Sequence, residues 1–104
     1  MSPDDLLDDI AEDLAAAGVI AGAMFGKRAL KAGGTAFACL KGDDLAFRLG
    51  AGTRDHDEAL AMAGAELFDP SGKGRPFKDW VAVPVALASE WPRLARTALD
   101  RARS

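Results

Sequence analysis

The chain has few of the residues on which common catalytic sites depend. It contains one cysteine, one histidine and no tyrosine. Cys39 cannot form an internal disulfide, which fits a reducing compartment. Any triad or dyad with histidine would have to use His56, and tyrosine is excluded as a proton donor. We therefore expect no enzymatic activity, no cofactor and no metal site.

Long apolar runs are also missing. The longest uncharged run covers residues 14–26, which is 13 residues, whereas about 20 are needed to cross a bilayer. A secretory signal begins with positive charge, but the first residues of this chain are acidic. We expect a cytoplasmic protein that makes no membrane contact.

A strong excess of charge of one sign is absent. The net charge is −3, from 16 acidic and 13 basic residues. Six of the acids lie within residues 1–13, so residues 14–104 carry 13 basic and 10 acidic groups. That balance gives only weak support for nucleic-acid binding, which normally uses a more basic surface. A length of 104 residues predicts one domain, residues 1–104, with a single core.

The clearest structural signal is a β-hairpin in residues 35–49, where two apolar runs flank a polar turn at residues 41–44. Pairing large residues with small ones fills a layer without voids. The predicted pairs on the core side are Leu40 with Leu45, Ala38 with Phe47 and Ala36 with Leu49. The predicted residues of the opposite side are Phe37, Cys39, Ala46 and Arg48.

Helices are predicted at both ends of the chain and once in between. Ser2 and Asp5 have the spacing of a capping box, and the first helix should end near Gly18. A short helix should cover residues 55–63, with Asp55 or Thr53 as its N-cap. The last helix should begin at Ser89 as its N-cap. Its predicted buried stripe is Trp91, Leu94, Ala95, Ala98, Leu99 and Ala102.

The remaining apolar runs predict strands at residues 23–31 and 77–85, and residues 64–69 predict a helix stop followed by a further strand. Together with the hairpin they give the fold class α+β, a two-layer sandwich whose antiparallel sheet has five strands. The predicted element order is α-β-β-β-α-β-β-α. Trp80 should face the core together with Val81 or Val83, and both tryptophans should be core residues rather than a stacking platform.

Two acidic groups leave alternatives open. The acids of the first helix form one face, which is either solvated or a docking face for a basic partner. The run from Asp55 to Glu58 contains His56 and could supply metal ligands. A capping box explains it more simply, because successive helical residues point in different directions.

A loop at residues 71–76 combines glycines with two cations, and it is either a solvated turn or an anion cradle. Its spacing is not that of a P-loop. If the protein binds nucleic acid or a phosphorylated ligand directly, the candidate residues are Lys27, Arg28, Lys31, Lys73, Arg75 and Lys78.

The order of several motifs resembles the N-terminal domain of the TfoX/Sxy family of competence regulators. The likeness is carried by residues 24–26 (Met-Phe-Gly), by residues 36–45 around Gly42, and by residues 64–68 and 72–83, which include Gly74-Arg75-Pro76 and Trp80-Val81. It is collinear over residues 4–102. The family's fold is a two-layer α+β sandwich with the element order predicted above.

This resemblance implies a stand-alone N-terminal domain with a regulatory rather than a catalytic role, since long members of the family promote competence gene expression. The expected function is therefore a non-enzymatic regulatory or binding module. We expect it to act through contacts with a protein partner or with a second copy of the chain.

Overall fold

The computed structural model describes residues 2–103 and confirms the α+β class. Its helices are α1 (Pro3–Asp13), α2 (Arg54–Leu60) and α3 (Trp91–Ala102). Its strands are β1 (Val19–Met24), β2 (Lys27–Ala32), β3 (Thr35–Lys41), β4 (Asp44–Arg48), β5 (Glu66–Phe68) and β6 (Phe77–Pro84). All pairs in the sheet are antiparallel, in the order β1-β2-β3-β4-β6-β5.

The predicted five strands are a miscount, because the single strand expected at residues 23–31 is wrong. A two-residue turn at Phe25 and Gly26 joins β1 to β2, and the sheet has six strands. Both turn residues have positive φ, 55° and 73°. Tight hairpins need this geometry, but it is unusual for phenylalanine, so residue type did not indicate a turn at Phe25.

The central hairpin of β3 and β4 is confirmed, with Ala38 opposite Phe47 and Leu40 opposite Leu45. One detail is wrong. The β2–β3 register shifts beyond the pair of Leu30 with Ala38, so Phe37 is an extra residue in β3. Such a bulge turns a side chain toward the other side of a sheet. Phe37 therefore lies in the main core, whereas Ala36 packs on the opposite side.

The main core lies between one face of the sheet and the helices. Val81, Val83, Phe47 and Phe37 meet the apolar stripes of α1 and α3 there. Trp91 is fully buried, and its Nε1 donates a hydrogen bond to the carbonyl of Val83 at 3.2 Å. Each large side chain buried in this way stabilises the fold by about 1.5–3 kcal/mol.

The helix boundaries follow local capping chemistry, with one correction. The capping box of Ser2 and Asp5 is confirmed, and a short 3₁₀ turn (Ala15–Ala17) continues α1 to Gly18. Thr53 caps α2 by accepting a hydrogen bond from the His56 backbone N–H at 3.2 Å. The predicted cap at Ser89 is wrong: a 3₁₀ segment (Val85–Glu90) leads directly into α3.

The opposite side of the sheet carries a smaller apolar cluster. It consists of Ala29, Cys39, Ala46, Phe68, Trp80 and Ala82. Every one of them belongs to a strand, and the apolar residues packed against them within residues 2–103 also lie on strands. We call this side the helix-free face. Trp80 is buried as expected, but on the side opposite Val81 and Val83.

The bulge predicts different roles for two phenylalanines. Phe37→Ala should lower the free energy of unfolding by about 3–5 kcal/mol, since it opens a cavity in the main core. Phe25→Ala should cost about 1 kcal/mol or less, because its exposed ring loses only an aromatic contact. Urea denaturation followed by circular dichroism measures both. Equal losses would contradict the position of Phe37.

Candidate functional site

Three of the six predicted basic residues belong to the helix-free face. Lys27 and Lys31 flank the buried Ala29 on β2 at spacings of two, which places all three on one side of the strand. The Lys31 side chain runs close to Gly22 of β1, where a Cβ would lie 3.3 Å from its Cδ. Lys78 lines a depression on this face together with Trp80.

Arg28 lies on the helix side of β2 and already has partners. Its Nη1 donates to Asp4 at 3.2 Å, and its Nη2 donates to Asp8 at 2.6 Å. The hydrogen bond from Arg28 lowers the pKa of Asp8, and the same bond to Asp8 raises the pKa of Arg28. Arg28 therefore anchors β2 to α1 and does not join Lys27 and Lys31.

The loop that was a candidate anion cradle is filled by the chain's own carboxylate. Asp69 accepts hydrogen bonds from the backbone N–H of Gly72 at 3.0 Å and of Gly74 at 2.8 Å, and from the Ser71 hydroxyl at 3.1 Å. Lys41 Nζ donates to the Asp69 backbone carbonyl.

These contacts set the charge state of the loop. Desolvation acts to raise the pKa of Asp69, but the hydrogen bonds from Gly74, Ser71 and Gly72 outweigh it, and the pKa lies below its ordinary value. The loop amides are thus engaged by an ionised carboxylate. The side chains of Lys73 and Arg75 in this loop are exposed and can still meet an external anion.

The depression on the helix-free face has a volume of about 410 Å³ and is open to solvent. Its lining is mainly apolar and aromatic, with charged residues at the margin: Met24, Phe25, Ala36, Arg48, Phe77, Lys78, Asp79 and Trp80. A chain of aromatic contacts runs beneath it. Ring centroids lie 5.5 Å apart for Phe25 and Phe77, 6.0 Å for Phe77 and Phe68, and 5.7 Å for Phe68 and Trp80.

Exposure differs sharply along this aromatic chain. Phe25 is 61% exposed, whereas Trp80 is 7% exposed and Phe68 is fully buried. The prediction that Trp80 is packed rather than a stacking platform is confirmed. Phe25 is the ring of this group that a partner could cover.

Arg48 and Lys78 line the depression together with Asp79, and Lys27 and Lys31 lie on the same face. Lys27, Lys31, Arg48 and Lys78 form no ion pair with any residue from 2 to 103. At the other end of the face, burial and the neighbouring Glu66 and Asp43 raise the pKa of Asp44. The face is therefore cationic near Phe25 and acidic near Asp44.

Arg48 and Phe25 are the members of this surface that sequence reasoning missed as a site. Alternation along β4 places Arg48 and Phe47 on different sides of the strand. The sequence does not show that Arg48 pairs with Trp80 of β6. The motif of residues 24–26 does not indicate a contact role for Phe25, because the turn there is not apparent from residue type. The signal available in the sequence was an aromatic residue directly before Gly26, at the end of the apolar run of residues 19–24.

Cys39 does not have the environment of a reactive thiol. Its side chain is fully buried among alanines, and its Sγ lies 3.6 Å from the Leu40 carbonyl. Burial raises the pKa of the Cys39 thiol to about 11, although the charge of Lys27 acts in the opposite direction. A thiol of this kind supplies almost no nucleophilic thiolate at neutral pH.

His56 has a structural position between α2 and β6. It is 5% exposed, and its Nε2 lies 2.7 Å from the Lys78 carbonyl. Its Nδ1 is 4.0 Å from Asp57 and has no hydrogen-bond partner in the described part of the chain. Asp55 points elsewhere, with its Oδ2 3.8 Å from Nη2 of Arg101. Within residues 2–103, no three His, Cys, Asp or Glu residues are grouped to hold a metal.

The helices of residues 2–103 are all too short or too polar to cross a membrane. The longest of them, α3, has 12 residues.

The raised pKa of Cys39 predicts slow modification. The pKa of Cys39 lies about two units above the ordinary value of 9.0, so the folded protein holds about a hundredfold less thiolate at pH 8. An aromatic disulfide reagent at this pH should therefore react about a hundredfold faster with the urea-unfolded protein than with the folded protein. Equal rates would contradict the buried position.

The same shift predicts how stability changes with pH. The folded chain keeps the thiol proton between pH 9.0 and about 11, where the unfolded chain releases it, so the free energy of unfolding should fall over that range. The control is Cys39→Ala, which should lack this component of the decline.

Comparison with protein-family models, with curated proteins and with solved structures found no match to this chain. The resemblance to the TfoX/Sxy family accordingly stays a prediction from sequence motifs.

Proposed function

We propose that this chain is a non-enzymatic module that binds an acidic segment of a partner protein on its helix-free face. In keeping with its resemblance to the TfoX/Sxy regulators, binding would serve regulation. The observation that carries the proposal is an exposed, strained Phe25 beside a group of cations that form no ion pairs within residues 2–103.

Phe25 is an unfavourable choice for its turn. A non-glycine residue at positive φ costs about 1–3 kcal/mol, and φ of Phe25 is 55°. Its ring recovers little by burial, because it remains 61% exposed. Glycine would make the same turn without strain. A strained aromatic residue at a surface is a candidate contact residue, and aromatic side chains commonly anchor protein interfaces.

The surrounding charges indicate the chemistry of the partner. Lys27, Arg48 and Lys78 border the same apolar depression or the cluster beside it. Without ion pairs in the described residues, they can meet carboxylates of a partner without first losing an internal bond. Arginine and aromatic residues are enriched in interfaces, and complementary charge guides association. We infer an acidic partner segment that places an apolar side chain against Phe25.

The observed geometry of the reactive residues favours binding over catalysis. The Cys39 thiol is buried with a raised pKa, and His56 contacts a backbone carbonyl between two packed elements. Neither side chain lines the depression. A catalytic proposal would therefore have to use Arg48, Lys78 and Asp79, the charged residues that line the depression.

Nucleic acid is the second candidate, and one observation favours it: Lys27, Lys31 and Lys78 lie on or beside one face. Single-strand binding also needs aromatic rings that are open to stacking. Phe25 is 61% exposed, but Trp80 is 7% exposed and Phe77 is half-buried, so one of these three rings is largely open to stacking. The protein partner is the better supported of the two.

The test selects ligands without assuming a partner. A random peptide library displayed on phage is panned against the wild-type protein, and we expect enrichment of peptides with several Asp or Glu residues next to an apolar residue. Two-dimensional NMR with the best peptide should shift the signals of Phe25, Arg48 and the Trp80 indole.

Matched variants make the test specific. Arg48→Glu and Phe25→Gly should each weaken peptide binding by about tenfold or more, which is about 1.4 kcal/mol. Phe25→Gly should retain or raise stability, because it removes backbone strain. Arg96→Glu makes the same charge change on the exposed side of α3 and should leave the affinity unchanged.

The outcomes that overturn the proposal are basic enriched peptides, no enrichment, or shifts confined to α3. Labelled single-stranded DNA is tested by fluorescence anisotropy in parallel. DNA binding that is tighter than peptide binding, falls steeply with salt and is lost in Lys78→Glu would favour the nucleic-acid alternative.

A further inference from the structure

The two edges of the sheet are protected very differently. The edge strand β5 has three residues, its pairing with β6 is irregular, and the ordered loop from Asp69 follows it. The other edge strand, β1, has six residues paired to β2 in regular register. Proteins usually guard an exposed edge with charge, proline, a bulge or a cover.

The β1 edge has none of the sequence devices for protection. Its residues are Val-Ile-Ala-Gly-Ala-Met, with no charge and no proline, and its register is free of bulges. Ile20 is 62% exposed, and Ala21 and Ala23 are exposed. In an antiparallel pair, alternate residues direct their N–H and C=O groups away from the partner strand. The outer side of β1 therefore offers a row of backbone donors and acceptors.

The electrostatic potential at this edge is negative on the side of the sheet that carries the helices. Helix α1 packs against β1 and presents exposed carboxylates at positions 4, 5, 8, 9, 12 and 13. Arg28, the β2 residue paired with Ala23, is hydrogen-bonded to Asp4 and Asp8. One guanidinium is shared by two carboxylates, which are 62% and 55% exposed. A cation brought beside Ala23 would thus meet uncompensated negative charge.

The other side of the same edge carries apolar side chains on β1, next to Lys27 and Lys31 on β2. Side chains alternate along a strand, so Ile20, Gly22 and Met24 lie on the helix-free side, whereas Ala21 and Ala23 lie on the side of α1. Met24 packs against the smaller cluster, and Ile20 is largely exposed. A strand added here would have one row of side chains near the carboxylates of α1. The other row would lie near Ile20 and Met24, with Lys27 and Lys31 on the neighbouring strand.

We propose that the free edge of β1 binds an extended segment of a partner protein by strand addition, and that this segment alternates basic with apolar residues. Strand addition uses main-chain hydrogen bonds for affinity and alternate side chains for specificity. A second copy of this chain fits less well, because pairing β1 with β1 would bring two acidic α1 helices together. This surface adjoins the depression at Met24 but does not include Phe25 or Arg48.

The test uses synthetic peptides with alternating Lys and Val and, as the matched control, alternating Glu and Val. Titrations followed by NMR at low and high salt give the affinities, and amide hydrogen exchange reports on Val19–Met24. The Lys-Val peptide should bind, slow the exchange of outward amides of β1 and bind more weakly at high salt. The Glu-Val peptide should bind at least about tenfold more weakly.

Two substitutions of the same kind separate the edge from the general surface. Ala23→Lys places a positive charge on the helix side of β1 and should weaken Lys-Val binding by about tenfold or more. Ala61→Lys adds the same charge at an exposed position at the end of α2 and should leave it unchanged. Circular dichroism confirms that each variant is folded.

Any of four results would overturn the proposal. These are no binding of the Lys-Val peptide, equal binding of both peptides, binding without protection of β1 amides, or a dimer of the peptide-free protein that Ala23→Lys disrupts in sedimentation equilibrium. The last result would assign the edge to a second copy.

Discussion

The register of the β3–β4 hairpin determines the two sides of this molecule. Leu40 pairs with Leu45, and Ala38 pairs with Phe47. The large side chains of Leu40, Leu45 and Phe47 therefore point toward the helices. A slip of one residue would exchange the two sides of the strands. The same register leaves Cys39 and Ala46 on the opposite side, where small residues pack without a covering helix.

The sidedness explains why the proposed surfaces lie where they do. The helices occupy one face of the sheet, and the aromatic residues Phe68, Phe77 and Trp80 cover part of the other. The hairpin of β1 and β2 contributes residues to both the unprotected edge and the depression. Its turn at Phe25 projects an aromatic ring at the border of the two surfaces.

Sequence reasoning succeeded where local chemistry and alternation agree. The capping box at Ser2 and the pairing of β3 with β4 were predictable for that reason. It failed at Phe37 and Phe25, because the position of each side chain depends on a backbone irregularity that residue type does not indicate. The bulge at Phe37 appears only when β2 is paired with β3. The turn at Phe25 has a positive φ that propensity disfavours.

The candidate site was predictable only in part, since it depends on contacts between distant strands. Lys27, Lys31 and Lys78 were candidates from charge alone, and the sheet places them on or beside one face. Arg28 is consecutive with Lys27, yet alternation sends it to the helix side, where Asp4 and Asp8 bind it. The sequence does not show that the Asp69 carboxylate accepts hydrogen bonds from the backbone N–H groups of Gly72 and Gly74, which the anion-cradle hypothesis would leave open for a ligand.

The sidedness of the sheet is tested most directly by nuclear Overhauser contacts of the two tryptophan indoles in the folded protein. The account predicts contacts from Trp80 to Phe68 and Ala46, and from Trp91 to Val83 and the stripe of α3. Contacts from Trp80 to Leu94 or Leu99 would place that indole under the helices and would contradict the account.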